Sequence, residues 1–139
     1  MKLTKRTGVR ALVMVPAVLL TLAGTATAAS AGNGTPSGAP PAANGYSVWC
    51  VSTTGARACF ASYGDKVWVD DTKANGQSAA GTIVGKNWNR QCFNDRGADA
   101  GWVMCDFDVP EYQDAELWAV NNPFIGSQAY TDINTGNII

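Results

Sequence analysis

The sequence contains no histidine. Histidine is the usual general base near neutral pH and the commonest metal ligand, so its absence excludes histidine-dependent triads and most zinc sites. There are only four cysteines, and if all four form disulfides no thiolate nucleophile remains. Carboxylate chemistry is the one catalytic option left. We therefore predict a protein that is not an enzyme, with no catalytic residue, no cofactor and no resident metal.

Long apolar runs are also absent, except near the N-terminus. There, residues 11–22 follow a basic start and precede the small residues of Ala26-Thr27-Ala28. This pattern is typical of an export signal, and the apolar run is shorter than the roughly 20 residues of a membrane span. We predict a signal peptide over residues 1–28 and a secreted, extracellular or loosely cell-wall-associated protein, with no membrane contact after cleavage.

The chain has no excess of positive charge. Four of its ten basic residues lie in the predicted signal, whereas all eleven acidic residues lie beyond it, so the net charge falls from −1 to −5 on cleavage. An acidic chain is repelled by phosphate backbones and anionic lipid headgroups. Nucleic acid and membrane surfaces are therefore poor candidates as partners.

Residues 29–45 lack any large apolar side chain and are dominated by Gly, Pro, Ala and Ser. Such a composition predicts a flexible leader that cannot contribute to a core. Residues 46–139 remain for one domain, which is near the size where disulfides become important for stability.

No segment shows a helical period. Short runs rich in β-branched and aromatic residues instead predict strands. The predicted strands are 46–53, 58–63, 66–70, 78–86, 89–93, 102–109, 116–120 and 128–133. Seven or eight strands at this spacing indicate an all-β fold, a small antiparallel β-sandwich or a partly open barrel. Residues 111–119 are equally compatible with a helical turn.

The four cysteines fall into two closely spaced pairs. A two-residue turn between Cys50 and Cys59 would place them directly opposite each other at a non-hydrogen-bonded position, within disulfide reach. Cys92 and Cys105 flank a Gly-containing connection over 94–101, and we pair them as well. The prediction is two hairpin disulfides, although sequence alone leaves two other connectivities open. Loops of this length imply about 3 kcal/mol of stabilisation each.

A wider pattern surrounds these cysteines. It consists of Cys59-Phe60, Tyr63-Gly64-Asp65, Trp68-Val69, Asp71-Thr72, Ala74, Gly76, Ser78-Ala79, Cys92, Asn94, Gly97, Trp102 and Cys105. The pattern resembles that of small secreted actinobacterial β proteins with two disulfides and no assigned activity, and it covers about half of the predicted domain. The resemblance implies export, a β fold and two disulfides, and it transfers no catalytic residue.

Several acidic residues could bind a cation or act as a hydrolase pair. Residues 71–76 begin like an EF-hand loop, but Lys73 occupies a ligand position, so that interpretation fails. A surface calcium site using Asp106, Asp108 or Glu111 remains an alternative. Asp106 and Asp108 would also have the spacing of a glycosidase pair, although strand alternation places them on the solvent side.

The tryptophans give the best indication of function. Three of the five lie on the polar phase of their predicted strands, where an indole beside a carboxylate can stack on a sugar ring or anchor a protein interface. The alternative is that a loop covers these strands and makes the tryptophans part of the core. We predict a noncatalytic binding module for an extracellular glycan or protein, with Trp68, Trp102, Trp118, Asp70 and Asp106 as candidate ligand-binding residues.

A second hypothesis is an inhibitor of a secreted hydrolase such as a protease. In it, the connection 94–101 enters the active site of the target and presents Arg96. A loop held by a disulfide binds with little ordering cost.

Overall fold

The structure, a computed structural model, describes residues 28–121 and 126–136, so the predicted signal peptide lies outside the described part except for Ala28. Within it the chain forms ten strands and one short 3-10 helix, Ala98–Ala100. The strands are β1 (Ala28–Asn33), β2 (Thr35–Pro36), β3 (Val48–Thr53), β4 (Ala56–Ala61), β5 (Lys66–Asp71), β6 (Ala79–Val84), β7 (Trp88–Asn94), β8 (Val103–Asp106), β9 (Asp114–Asn121) and β10 (Gln128–Asn134).

The strands form two five-stranded sheets. Sheet A has the order β1-β7-β6-β9-β10, and sheet B has the order β2-β8-β5-β4-β3. All neighbours are antiparallel except β1 and β7, which are parallel. Neither sheet closes on itself. The prediction of an all-β sandwich is therefore confirmed, and the alternative of a barrel is wrong. The eight strands from β3 onward each overlap one of the eight predicted segments, although β4 begins two residues earlier than predicted and β8 is half the predicted length. Residues 114–121 form a strand instead of a helical turn.

The main core lies between the two sheets, because alternate residues of each strand point inward. Phe60 on β4, Ile83 on β6 and Leu117 on β9 are fully buried there. Sheet B leaves no space for a side chain at Gly81 of sheet A, since an added Cβ would lie 2.8 Å from Val69 Cγ2. The requirement for glycine at this position is therefore a packing requirement.

The N-terminal segment differs from the flexible leader expected over residues 29–45. β1 pairs with β7 along its whole length, and β2 pairs with β8 in the other sheet. At the junction between the two strands, a Cβ added to Gly34 would overlap Val103 and lie 3.2 Å from Cys92 Sγ. The prediction considered only side chains that could fill a core, whereas an edge strand is held mainly by backbone hydrogen bonds.

The next residues connect the two edges of sheet B. Ser37 N donates to Trp102 O at 3.0 Å, and Asn44 N donates to Val48 O at 3.0 Å. The two anchors lie on opposite edges and at opposite ends of the sheet. From the spacing between strands and the rise per residue, the straight-line distance between them is ~23 Å. Seven residues span at most ~23–25 Å when fully extended, so residues 37–44, the crossing segment, have no length for a detour. We infer that they take the diagonal over the outer face, since sheet A occupies the inner one.

Both predicted disulfides are present, and the described residues include no free cysteine. Cys50–Cys59 joins neighbouring strands β3 and β4 in the predicted register, with a Cα–Cα distance of 4.1 Å. Cys92–Cys105 has the predicted partners, but β7 and β8 belong to different sheets. The second bridge thus crosses the sandwich and fastens one sheet to the other.

Structural disulfides of this kind are typical of proteins in oxidising, extracellular environments. The described part of the chain has no helix long and apolar enough to cross a membrane.

Candidate functional site

The structure separates the five predicted ligand-binding residues into two groups. Strand alternation places Trp68, Trp102, Asp70 and Asp106 on the outer face of sheet B. Trp118 lies on the outer face of sheet A, on the opposite side of the molecule. These residues therefore cannot contribute to one site, and each face has to be judged separately.

Trp68 is core. Only 8% of its surface is exposed, and it belongs to a second apolar cluster with Val48, Cys59 and Ala61. This cluster lies on the outer face of sheet B, below the path of the crossing segment. This burial leaves little indole surface for a ligand and agrees with the alternative that Trp68 is part of a core. Residues 37–44, expected to be flexible, are the segment that we infer to pass over it.

Trp102 is half-buried and its ring is already occupied. The guanidinium carbon of Arg57 lies 5.1 Å from the ring centroid, which is cation–π geometry. Arg57 also stands opposite Asp70 in the sheet. Burial raises the pKa of Asp70, with nearby Asp71 adding to the increase and Arg57 opposing it. Arg57 therefore interacts with both side chains, by its cation–π contact with Trp102 and by its charge with Asp70.

Asp106 is exposed at the end of β8, opposite Lys66. Asp108 follows after the strand has ended, and its backbone oxygen accepts two hydrogen bonds from the Arg90 guanidinium, at 2.7 and 3.0 Å. The two carboxylates are thus not held side by side on one strand. The geometry gives no support to a glycosidase pair.

Asp65 lies close to this acidic end of the sandwich. Burial raises its pKa, the neighbouring Glu111, Asp108 and Asp106 add to the increase, and a hydrogen bond from Val109 N at 3.3 Å opposes it. Among the described residues, however, no three potential metal ligands converge into a group that could hold an ion. The calcium alternative has no geometric support in this part of the chain.

Trp118 has a different environment. Its Nε1 donates to Glu116 Oε2 at 2.8 Å, and its ring stacks on Tyr130 with centroids 4.7 Å apart and planes 23° from parallel. Tyr130 is directly opposite Trp118 in the β9–β10 ladder and is 55% exposed. One face of the tyrosine ring is covered by the indole, so the exposed surface is its other face and edge.

Polar side chains surround this aromatic pair. We define the open face as the outer surface of sheet A formed by β6, β7, β9 and β10. Asn89, Gln91, Gln128 and Asp132 have outward-facing positions on it, and none makes a side-chain hydrogen bond with another described residue. Thr82 Oγ1, opposite Trp118, is buried without a partner. The open face therefore offers free donors and acceptors next to an exposed ring.

Tyr130 is not among the ligand-binding residues predicted from the sequence, because that prediction depends on the strand phase of the tryptophans alone. A signal was present, since 116–120 and 128–133 were both predicted as strands. Pairing them as a hairpin would have placed Tyr130 beside Trp118.

The predicted inhibitory loop is well ordered by one buried side chain. Asn94 Nδ2 donates to Val69 O at 3.3 Å and to Gly101 O at 3.0 Å, while its Oδ1 accepts from Arg96 N at 3.2 Å. Arg96 is exposed and lines a polar cleft of about 200 Å³ between this loop and residues 71–78. The cleft also contains Lys73 and Asp95.

Comparison with protein-family models, with curated proteins and with solved structures finds no match for this chain. The resemblance to actinobacterial β proteins therefore stays a prediction, and functional inference depends on the geometry of the two faces.

Proposed function

We propose that the protein is a secreted, noncatalytic module that binds an extracellular polysaccharide through the open face. The observation that supports this proposal most directly is the Trp118–Tyr130 stack on the outer face of sheet A, where Tyr130 is 55% exposed. Export is supported by the signal-like sequence of residues 1–28 and by the two disulfides.

A polysaccharide suits the chemistry of this surface. Sugar rings present apolar C–H faces that pack on aromatic rings, and hydroxyl groups at their edges that need donors and acceptors. The open face supplies an exposed tyrosine ring, the free amide of Gln128 on the same strand, and the free amide of Gln91 on β7, with β6 and β9 between the two strands. A protein interface of comparable affinity normally has a contiguous apolar centre. Here the aromatic surface is one stacked pair bordered by Glu116, Asp132 and Gln128, which favours a hydroxyl-rich ligand.

The test is binding to a panel of insoluble glycans, by co-sedimentation and by tryptophan fluorescence titration with soluble oligosaccharides. Tyr130→Ala and Trp118→Ala should each weaken binding about tenfold, because loss of one stacked ring costs ~1.4 kcal/mol. Tyr46→Ala is the matched control, since Tyr46 is 69% exposed but precedes β3 in the other sheet. Failure of every glycan to bind, or an equal effect of the three variants, would reject the proposal.

Protease inhibition is the second candidate, favoured by the Asn94 hydrogen bonds that hold the loop of exposed Arg96. If this activity exists, the protein slows a trypsin-like protease and Arg96→Ala abolishes the effect. A panel of secreted proteases that is not inhibited at micromolar concentration removes this candidate.

A further inference from the structure

We infer that the polysaccharide recognised by the open face carries protonated amino groups, as a glucosamine polymer does. This inference depends on the proposed function and specifies its ligand. It comes from the charges next to the stacked rings.

Glu116 and Asp132 are directly opposite each other on β9 and β10 and point to the same side of the sheet. Like charges in directly opposed positions destabilise a β-ladder. Glu116 uses Oε2 to accept the indole N–H of Trp118, and Asp132 has no hydrogen-bond or ion-pair partner among the described residues. A cation bound between the two carboxylates would remove their repulsion.

The nearest basic side chain does not provide that cation. Lys86 lies on the turn between β6 and β7 and lines a cleft with Gln113 and Asp114. It forms no ion pair with either carboxylate within the described structure. Asp114 differs from the other two acids, because the residue opposite it is Asn134, whose Nδ2 donates to it at 3.0 Å. Glu116 and Asp132 are therefore the pair of directly opposed carboxylates in the β9–β10 ladder.

The aromatic pair strengthens the case for an ammonium group. Trp118 and Tyr130 form the next outward-facing pair of the β9–β10 ladder after Glu116 and Asp132. An ammonium ion is attracted both by carboxylates and by the faces of indole and phenol rings. A sugar unit stacked on Tyr130 could thus direct an amino group toward the acidic pair while its hydroxyl groups contact the neighbouring amides.

A basic peptide would satisfy the same charges. The polysaccharide is favoured because the open face is a sheet surface whose amides without hydrogen-bond partners lie on two separated strands, β7 and β10, which suits an extended polymer of hydroxyl groups. Polylysine is included in the test to distinguish the two partners.

The experiment compares the full mature chain on polyglucosamine, on its fully N-acetylated form and on an uncharged glucan, at mildly acidic pH. We expect tightest binding to polyglucosamine, weakening as salt is added. Glu116→Gln and Asp132→Asn should each reduce that binding roughly fivefold, the size of one exposed ion pair of about 1 kcal/mol, and should reduce binding to the glucan less. Glutamine at 116 keeps an acceptor for the Trp118 indole. Asp99→Asn is the control, because it removes one negative charge at an exposed position of the 3-10 helix, outside the open face.

The outcomes separate this inference from the proposed function. Equal binding to the acetylated and free-amine polymers, with no effect of Glu116→Gln or Asp132→Asn, overturns the amine preference but leaves a glycan-binding face. Equal loss in the Asp99→Asn control shows a general charge effect and also overturns it, as does tighter binding of polylysine than of polyglucosamine. No binding to any glycan rejects the proposed function itself.

Discussion

The outer faces of the two sheets carry similar residues but differ in how deeply those residues are buried. Each presents tryptophan beside carboxylate: Trp68 next to Asp70 on sheet B, and Trp118 next to Glu116 on sheet A. Trp68 is 8% exposed, whereas the Tyr130 ring stacked on Trp118 is 55% exposed. The same local pattern thus gives core on one face and an accessible surface on the other.

The difference comes from chain connectivity. β2 pairs at one edge of sheet B and β3 at the other, so the chain between them has to return across that sheet. Sheet A has no such requirement in the described residues, because β9 and β10 are neighbours. Exposure on these strands is therefore decided by a segment distant in sequence from the tryptophans.

The strongest test of the comparison replaces each tryptophan. Trp68→Ala should lower the free energy of unfolding by about 3–5 kcal/mol, since it removes a buried indole from a packed cluster. Trp118→Ala should lower the free energy of unfolding by only about 1 kcal/mol, because Trp118 is half-buried and stacks on a single ring, that of Tyr130. Urea denaturation of the oxidised proteins measures both. If Trp68→Ala does not fold, Trp68→Phe provides the comparison, with a smaller loss. Equal losses for positions 68 and 118 would contradict the distinction between the faces.

The next test concerns the N-terminal segment that leads into the crossing segment. Gly34→Ala should lower the free energy of unfolding by about 1–3 kcal/mol, because the added methyl group overlaps Val103 and presses on Cys92 Sγ. Gly38→Ala is the control, since an added Cβ meets no atom within 4 Å. If residues 28–36 were a flexible leader, both substitutions would be neutral in thermal or urea unfolding.

Much of the fold could be predicted from sequence because its determinants are local. The Cys50–Cys59 register follows from counting residues around Thr54 and Gly55, and Gly55, the second residue of the turn, has a positive φ of 92°, which glycine adopts without strain. The position of Cys92–Cys105 was less accessible. A short loop suggested a hairpin, but Asn94 turns the chain from one sheet to the other through hydrogen bonds to Val69 and Gly101, which no local pattern indicates.

The candidate site was only partly predictable for the same reason. Trp118 was identified from its phase, and Tyr130 follows once the β9–β10 hairpin is paired. The burial of Trp68 depends on residues 37–44, whose composition is typical of a linker. Proline and alanine can nevertheless cover a surface when both ends of the segment are anchored, because the extended path loses little entropy on ordering.

A smaller effect is expected where Arg57 covers Trp102. Arg57→Ala removes a cation from a distance of 5.1 Å above the ring and should cost about 0.5–1 kcal/mol. It should also make the indole of Trp102 more accessible to a neutral quencher such as acrylamide. Arg96→Ala, which removes an exposed arginine without a tryptophan partner, is the control. Unchanged quenching in Arg57→Ala would show that the arginine does not shield this face.

The smallest effect is a pH dependence on the outer face of sheet B. Burial raises the pKa of Asp70 above its ordinary value of 3.8 in the folded state, with Arg57 opposing the increase. The folded protein then takes up a proton at higher pH than the unfolded chain does, so this residue adds stability as the pH falls through its folded pKa toward the unfolded one. Asp70→Asn should remove that gain in urea midpoints measured across the acid range. Arg57→Gln should enlarge the gain, because it removes the cation that opposes the increase in the Asp70 pKa. If Arg57→Gln instead decreases the gain, burial is not the dominant influence on Asp70, and this face is less well covered than the position of the crossing segment implies.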